Sequence, residues 1–509
     1  MNLIASTTTF SFFTLLSRIL GYVRDILIAI FLGTGFFADV FFVAFRLPNT
    51  FRRLFAEGAF NAAFIPSYVA ELEKDKKKAE DFARNVFNLL FVFLLILVFL
   101  AEIFMPQLIY LIAPGFYKDP EKINFAIKLS RITFPFLFFI SIASFFSAIL
   151  NSYNKFAAAA AIPIILNIVL IGSLFISPLF KTSEAEVLSY AVSFSGFLQL
   201  FFLFFFVRKK FKPLLLFKIR INNKIKFFFK KLIPSIFSSG VTQINILVGT
   251  IIASFQTGAV SYLYYADRVY QINLAVAGIA IGTVMLPELS KNIKNNNSKK
   301  ILDLQNRAIE LCLFLSVPAA TALVLASNEI VTSLFGYGSF NIESVNNTAT
   351  ALTFFALGVP AFSILKIFSS LFFARNDTKL PFYLSALSVV LNILISISLF
   401  SKVGFVIIPI ATSFSSWINV FLYYYFIKKK DLHNFDNKFI YRFPRMILSV
   451  VVMGSILYLL LGFFSTKFDY YENMKFAYLF IVVLISLLSY FTIANFLGAF
   501  KFKDIKLKQ

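Results

Sequence analysis

Histidine and cysteine are almost missing from this sequence. His433 and Cys312 are the only ones among 509 residues, so a His/Cys metal cage, a CxxC redox pair or an intrachain disulfide framework is excluded. His433 lies in the charged stretch KKKDLHNFDNK and is expected to be a solvated surface residue; Cys312, in LCLFLSV, is expected to be a small buried hydrophobe. Charge is scarce as well, with Asp, Glu, Lys and Arg at 14% against about 25% in a typical soluble chain. The surface of a soluble fold of this size could not be covered with so few polar groups. No GxxxxGK[ST], GxSxG or HExxH occurs, so no recognisable site for ATP hydrolysis is present and an enzyme is not expected.

Apolar residues are abundant, at 59%. A membrane-spanning helix needs about 20 predominantly apolar residues. Fourteen such runs lie between polar breaks: 3–32, 36–68, 84–113, 124–152, 157–180, 187–207, 226–254, 258–289, 308–335, 347–373, 380–400, 403–427, 444–465 and 475–500. The expected fold is therefore an all-α polytopic membrane protein with fourteen transmembrane helices. The first run does not read as a cleavable signal: it is too long, lacks a small-residue cleavage site and carries Arg18, Arg24 and Asp25.

The net charge of +23 has a positional explanation. The even-numbered connections and the C-terminal tail hold 33 Lys and Arg, and the odd-numbered connections hold six. Basic loops stay on the cytoplasmic side, so both termini are expected in the cytoplasm, and nucleic-acid binding is not required. With the basic residues at the run ends counted among the connections, nine remain inside the runs: Arg18, Arg24, Arg46, Arg52, Arg53, Lys128, Arg131, Arg268 and Lys366. Lys128 and Arg131 are near a helix start and can snorkel to the interface.

The first twelve runs divide into two sets of six at the basic loop 208–231, and the halves resemble each other at a shift of 222–225 residues. FLGTGFFADVFFVAFR at 31–46 aligns with FQTGAVSYLYYADR at 255–268, and LIYLIAPGF at 108–116 with IVTSLFGYGSF at 330–340. LNSYNKF at 150–156 followed by LNI at 166–168 aligns with ARNDTKL at 374–380 followed by LNI at 391–393. Repeats with an even number of spans have parallel topology, the arrangement of pseudo-symmetric lobes in alternating-access transporters. The expected organisation is an N-lobe at 1–208, a basic loop and C-lobe at 209–430, and two additional helices with a basic tail at 431–509.

An ionisable side chain at bilayer depth costs about 2.5–3.5 kcal/mol unless it meets a partner or water. Arg18 and Asp25 are seven residues apart on one helix face, as are Asp39 and Arg46, and Arg24 is rotated about 100° from Asp25. Pro48 is expected to kink or break the second run, beyond which Arg52, Arg53 and Glu57 follow, the last two at salt-bridge spacing. In the second half, YYADRVYQ supplies Asp267 and Arg268. Mutual pairing is one reading of these groups. Six arginines against Asp25, Asp39, Glu57 and Asp267 favour the other, a cationic cavity between the lobes that attracts an anion. Arginine suits phosphate because its planar fork donates two parallel hydrogen bonds. A phosphate-bearing amphiphile moved between leaflets is the economical substrate.

Four stretches carry a resemblance to a known family: SRILGYVRDILIAIFLG (17–33), ADVFFVAFRLPNTFRRLFAEGAFNAAFIP (38–66), LIAPGF (111–116) and YYADRVYQ (264–271). The sequence resembles the MurJ/MviN family of lipid II flippases, within the multidrug/oligosaccharidyl-lipid/polysaccharide exporter superfamily. The resemblance implies translocation of undecaprenyl-pyrophosphate-linked peptidoglycan precursor from the cytoplasmic to the periplasmic leaflet of a bacterial inner membrane. It implies a tail-binding groove formed by the last two helices, and substrate-contacting roles for Arg18, Arg24, Arg52 and Arg268, with acidic positions at Asp25, Asp39 and Glu57 and a basic one at Arg46. Arg53 joins them from the charge pattern; Lys366 is a weaker candidate, an interface anchor being the other reading. The implied partners are lipid II and membrane lipids. No cofactor is expected, coupling to an ion or to membrane potential stays open, and a monomer is expected. A flippase for another undecaprenyl-linked oligosaccharide and a cation-coupled multidrug exporter are the alternatives.

Overall fold

The computed structural model describes residues 3–53, 60–213 and 223–500, and every regular element among them is helical. In chain order these are α1 (Leu3–Leu32), α2 (Phe36–Arg52), α3 (Phe60–Leu72), α4 (Lys76–Ile103), α5 (Met105–Ile112), α6 (Pro120–Thr133), α7 (Phe136–Ser152), α8 (Phe156–Ile176), α9 (Glu184–Val207) and α10 (Asn223–Ala253). There follow α11 (Ala259–Leu274), α12 (Ile281–Lys294), α13 (Ser298–Leu325), α14 (Ser327–Phe335), α15 (Ile342–Phe373), α16 (Lys379–Val403), α17 (Ile407–Lys429), α18 (Asn437–Phe463) and α19 (Lys475–Phe496). These helices account for all fourteen apolar runs. Nine runs are one helix each, the third, fourth, eighth and ninth are each divided in two, and the second is described as α2 and α3 on either side of 54–59. The chain is a fourteen-span membrane protein built from two six-span repeats and two additional C-terminal spans.

The repeat is visible in the way helices begin. Asp75 caps α4 and Asn297, 222 residues later, caps α13; Asp119 caps α6 and Asn341, again 222 later, caps α15. In each case a side-chain oxygen accepts from a backbone N–H that the first helical turn leaves unpaired. α4 and α13 both run for 28 residues, and both are followed by a short helix, α5 or α14. Asn154 and Asn376, also 222 apart, both take the left-handed conformation at φ 59°, a turn asparagine tolerates well.

At Pro48, where a kink or a break was expected, the helix is not broken: α2 continues through it to Arg52. A proline removes the hydrogen bond to the carbonyl four residues earlier, here Ala44, and that oxygen accepts instead from the Thr133 hydroxyl of α6 at 2.9 Å. The same device recurs at Pro318 in α13. Its orphaned carbonyl, Phe314, accepts from the buried Tyr490 hydroxyl of α19 at 2.9 Å.

The chain separates into two compact units, Met1–Ser261 and Tyr262–Gln509. In the first, α10 packs on α3, α4 and α5. Phenylalanines supply the contact, Phe228 of α10 meeting Phe60 at 5.8 Å and Phe82 at 6.3 Å, with Phe145 of α7 at 5.1 Å from Phe64. The packing boundary thus falls after Ser261, whereas the 208/209 division follows the sequence repeat.

In the second unit, the core gathers Met285, Leu313, Phe368, Tyr423, Met453 and Tyr490, and Cys312 is buried there as expected. The two additional spans join this core through α13·α18 and α14·α19 packing. Lys475, at the start of α19, is 1% exposed and donates to the carbonyls of Gly336 at 2.7 Å and Tyr470 at 2.6 Å, with the Tyr337 ring 4.0 Å away. A methionine there would fill the space and leave both carbonyls without their charged donor. Lys475→Met is expected to lower stability by about 2–3 kcal/mol, read as an earlier unfolding transition of the purified protein in detergent. An unchanged transition would show that the ammonium is not a tether.

His433 departs from its expected solvated state: it is 3% exposed. Its Nδ1–H donates to Gln305 Oε1 at 3.0 Å, its ring stands edge-on to Phe435 at 4.9 Å, and its Nε2 has no partner among the described residues. The neighbouring charges in KKKDLHNFDNK gave no hint that this loop folds onto α13. Burial holds the imidazole pKa down to about 4, outweighing the upward pull of Asp436. A depressed histidine favours the neutral fold, so its contribution is complete above the ordinary value of 6.5 and disappears as pH falls towards 4. Wild type should lose on the order of 3 kcal/mol across that window. His433→Gln should flatten that part of the unfolding-temperature profile, and an equally steep profile in the variant would refute the assignment.

Candidate functional site

In the first unit Arg24 and Asp25 of α1 form a fixed pair. Arg24 is 8% exposed and Asp25 3%. Arg24 Nε and Nη2 donate to Asp25 Oδ1 at 3.1 and 2.7 Å, and its Nη1 donates to Asn167 Oδ1 of α8 at 2.9 Å. Asn167 in turn donates to the Ser17 carbonyl at 2.9 Å, which binds α8 to α1 two turns before Arg24. The 100° separation of neighbouring helix positions rules out a simple same-face pairing of Arg24 with Asp25. The long arginine side chain bends round the helix to reach the carboxylate, because both groups are buried and each is the other's counter-charge. Arg18, expected over Asp25 two turns away, is exposed instead, and no ion pair joins the two.

Asp39 is fully buried, and its oxygens are saturated by groups far away in sequence. Oδ2 accepts from Lys122 Nζ of α6 at 2.9 Å and from the Gly258 N–H at 2.7 Å; Oδ1 accepts from the Ser261 N–H at 3.0 Å and its hydroxyl at 2.9 Å. Gly258 and Ser261 lie at the start of α11, so the carboxylate serves as an N-cap supplied from another helix, where negative charge is favoured. Lys122 is 4% exposed and stands 4.4 Å from the Phe116 ring. The expected Asp39–Arg46 face pairing is therefore replaced. Arg46 donates through Nη1 to the Thr250 hydroxyl of α10, whose own hydrogen goes to the Ile246 carbonyl at 2.9 Å.

At the end of α2, Arg52 Nε and Nη2 donate to Asn49 Oδ1 at 2.9 and 2.8 Å. Arg53 caps the helix with its backbone N–H on the Asn49 and Thr50 carbonyls and is half-buried. Glu57, expected beneath Arg53, lies outside the described residues. In the second unit, Arg268 of α11 is half-buried, with its guanidinium 4.7 Å from the centre of the Tyr264 ring and Nη2 donating to that phenol at 3.2 Å. Asp267, beside it, accepts from Gln271.

The structure thus brings Arg24 and Asp25 together and ties each of Arg46, Arg52 and Arg268 to a neutral oxygen on a helix. An arginine oriented by a hydroxyl, an amide or a phenol has a preset geometry, which is what recognition of a phosphate oxygen requires. Asp39 belongs to a different task, since its charge is matched by Lys122. The sequence reading missed Lys122, Asn167, Thr250 and Tyr264. Lys122 was counted with a connection, and the other three are uncharged.

Comparisons with known proteins agree on one family. A family model described as Lipid II flippase MurJ matches residues 28–480. The probable lipid II flippase MurJ of Rhizobium tropici is 38% identical over 510 residues, spanning 98% of this chain and 95% of that protein. The probable lipid II flippase MurJ of Rickettsia prowazekii (strain Madrid E) is 38% identical over 434 residues, 85% of each chain. A solved structure of lipid II flippase MurJ in an inward closed conformation superposes with a TM-score of 0.82 at 29% identity, over 96% of this chain and 98% of that one. An inward-facing multidrug resistance MATE transporter of the MOP superfamily gives 0.67 at 14% identity, over 81% and 94%, a likeness of fold alone.

Proposed function

This chain belongs to the lipid II flippase MurJ family, and on that premise we propose that it moves lipid II from the cytoplasmic to the periplasmic leaflet of the bacterial inner membrane by alternating access. The substrate is the undecaprenyl-pyrophosphate-linked precursor of peptidoglycan. The protein is a transporter: it makes and breaks no covalent bond. The observation that carries the site assignment is the set of arginines within the spans, each held by a neighbour that orients it.

In the first unit Arg24 and Arg52 are the arginines assigned to the pyrophosphate, with Arg18 exposed on α1 and Arg46 and Arg53 on α2; in the second unit the assigned arginine is Arg268. Asp25 fixes Arg24 in place, and Asp39 holds the start of α11. Both termini lie in the cytoplasm, which the alternation of basic connections supports. No cofactor takes part. A cationic site that changes its exposure within the membrane field couples to the potential, at about 2.3 kcal/mol per charge per 100 mV. A single chain carries the whole path, and α18 and α19 accommodate the polyprenyl tail.

Expression of this chain in cells depleted of their own lipid II flippase tests the reading: growth and cell shape should be restored. Failure despite normal amounts in the membrane would point to a different undecaprenyl-linked oligosaccharide.

A further inference from the structure

Lys366 is a membrane-depth cation to which the arginine assignments above give no part. It lies in α15 seven residues before the end of the helix at Phe373, about 10 Å inside it. Its side chain is exposed while Ser363, Ile367 and Ser370 around it are buried, and among the described residues no carboxylate pairs with it. An ammonium facing hydrocarbon at that depth is costly, so the head of Lys366 has to reach water or an anion.

The backbone that carries Lys366 is held unusually close to its neighbour. Between α11 and α12 the chain makes a π-helical turn at Ala275–Ala280, a feature common at functional sites. That turn and α12 press on α15 through two glycines. A Cβ on Gly278 would stand 3.0 Å from Ser363 Cα, and one on Gly282 would stand 3.4 Å from the Lys366 carbonyl oxygen. The 222-residue counterpart of Lys366 in the first repeat is Ser144, so the cation has no symmetric partner.

Gly282, which marks the level of Lys366, is fourteen residues beyond Arg268, about 20 Å along the helix axis. One diphosphate cannot bridge that distance. Beyond Lys366 in the same direction come Lys291 and Lys294 at the end of α12 and Arg375 after α15, the basic end that belongs to the cytoplasm.

We propose that Lys366 forms a separate anion station of the second unit, which takes the phosphate-bearing head group from the cytoplasmic side before it reaches Arg268. The inference rests on the lipid II reading and adds a step to it. A lysine suits a transient stop, because its ammonium is a compact point charge without the bidentate grip of arginine.

The test is binding of lipid II to the full-length protein in nanodiscs, at low and high salt, for wild type, Lys366→Gln, Lys366→Arg and the exposed control Lys379→Gln. Lys366→Gln should weaken binding about tenfold at low salt and less at high salt. Lys366→Arg should bind at least as tightly as wild type, and Lys379→Gln should stay within about twofold of it. In depleted cells, Lys366→Gln should fail at low expression and recover at high expression, as expected of a loading defect. Unchanged binding by Lys366→Gln, or an Arg variant as weak as the Gln variant, overturns the station. If wild type binds no lipid II, the underlying reading falls and takes the station with it.

Discussion

Arg24→Ala is expected to abolish rescue of flippase-depleted cells, and the reason must be separated from a folding defect. The substitution deletes three hydrogen bonds and leaves Asp25, at 3% exposure, without its guanidinium. Removing one partner of a buried ion pair costs about 3–5 kcal/mol, because the remaining charge stays desolvated. The single variant should therefore be both unstable and inactive. Arg24→Ala combined with Asp25→Asn removes the stranded charge and should recover most of the lost stability, yet transport should remain absent, since the pyrophosphate has lost its fork. Arg24→Lys, which keeps the charge but not the planar donors, should rescue only in part. Thermal unfolding in detergent, read beside growth, distinguishes these outcomes. A double variant that transports normally would reduce Arg24 to a structural residue.

Asp39→Asn should be the most damaging substitution to the architecture of the first unit. The carboxylate has four donors, and an amide offers one acceptor oxygen where two are used. Lys122, at 4% exposure, would lose its counter-charge, and the start of α11 would lose part of its cap. The expected cost is again about 3–5 kcal/mol. Lys122→Met in the same chain should restore a substantial part of it, because the uncompensated ammonium is then gone. Arg46→Met should leave the Asp39 defect as it is, since Arg46 bonds to Thr250. Non-additivity in the first pair and additivity in the second, measured by unfolding of purified protein, identify the true partner. The reverse pattern would reinstate the pairing suggested by seven-residue spacing.

The fold was legible in the sequence because its signals are local and repeated. Scarce charge and fourteen apolar runs specify a polytopic helical chain, and the matching segments announce a duplication that reappears in the caps at Asp75 and Asn297. The candidate arginines were legible too, since a charge inside an apolar run is conspicuous wherever the chain folds. Partners were not. Lys122 is 83 residues from Asp39 and sits in a stretch that reads as a connection. Thr133 and Tyr490 satisfy carbonyls freed by Pro48 and Pro318, but a hydroxyl in an apolar run gives no sign of what it will bond. His433 read as solvated because its neighbours are charged, whereas its burial is decided by Gln305, on a different helix.

The central claim is that oriented guanidinium groups within the spans carry a pyrophosphate head group across the membrane. It is tested most directly by the fraction of lipid II accessible from the periplasmic side in cells whose own flippase has been replaced by this chain. Wild type should restore full accessibility. The triple variant Arg24→Ala, Arg52→Ala and Arg268→Ala, with Asp25→Asn to preserve folding and present in equal amount in the membrane, should leave lipid II on the cytoplasmic side. Full periplasmic accessibility with that variant would contradict the account.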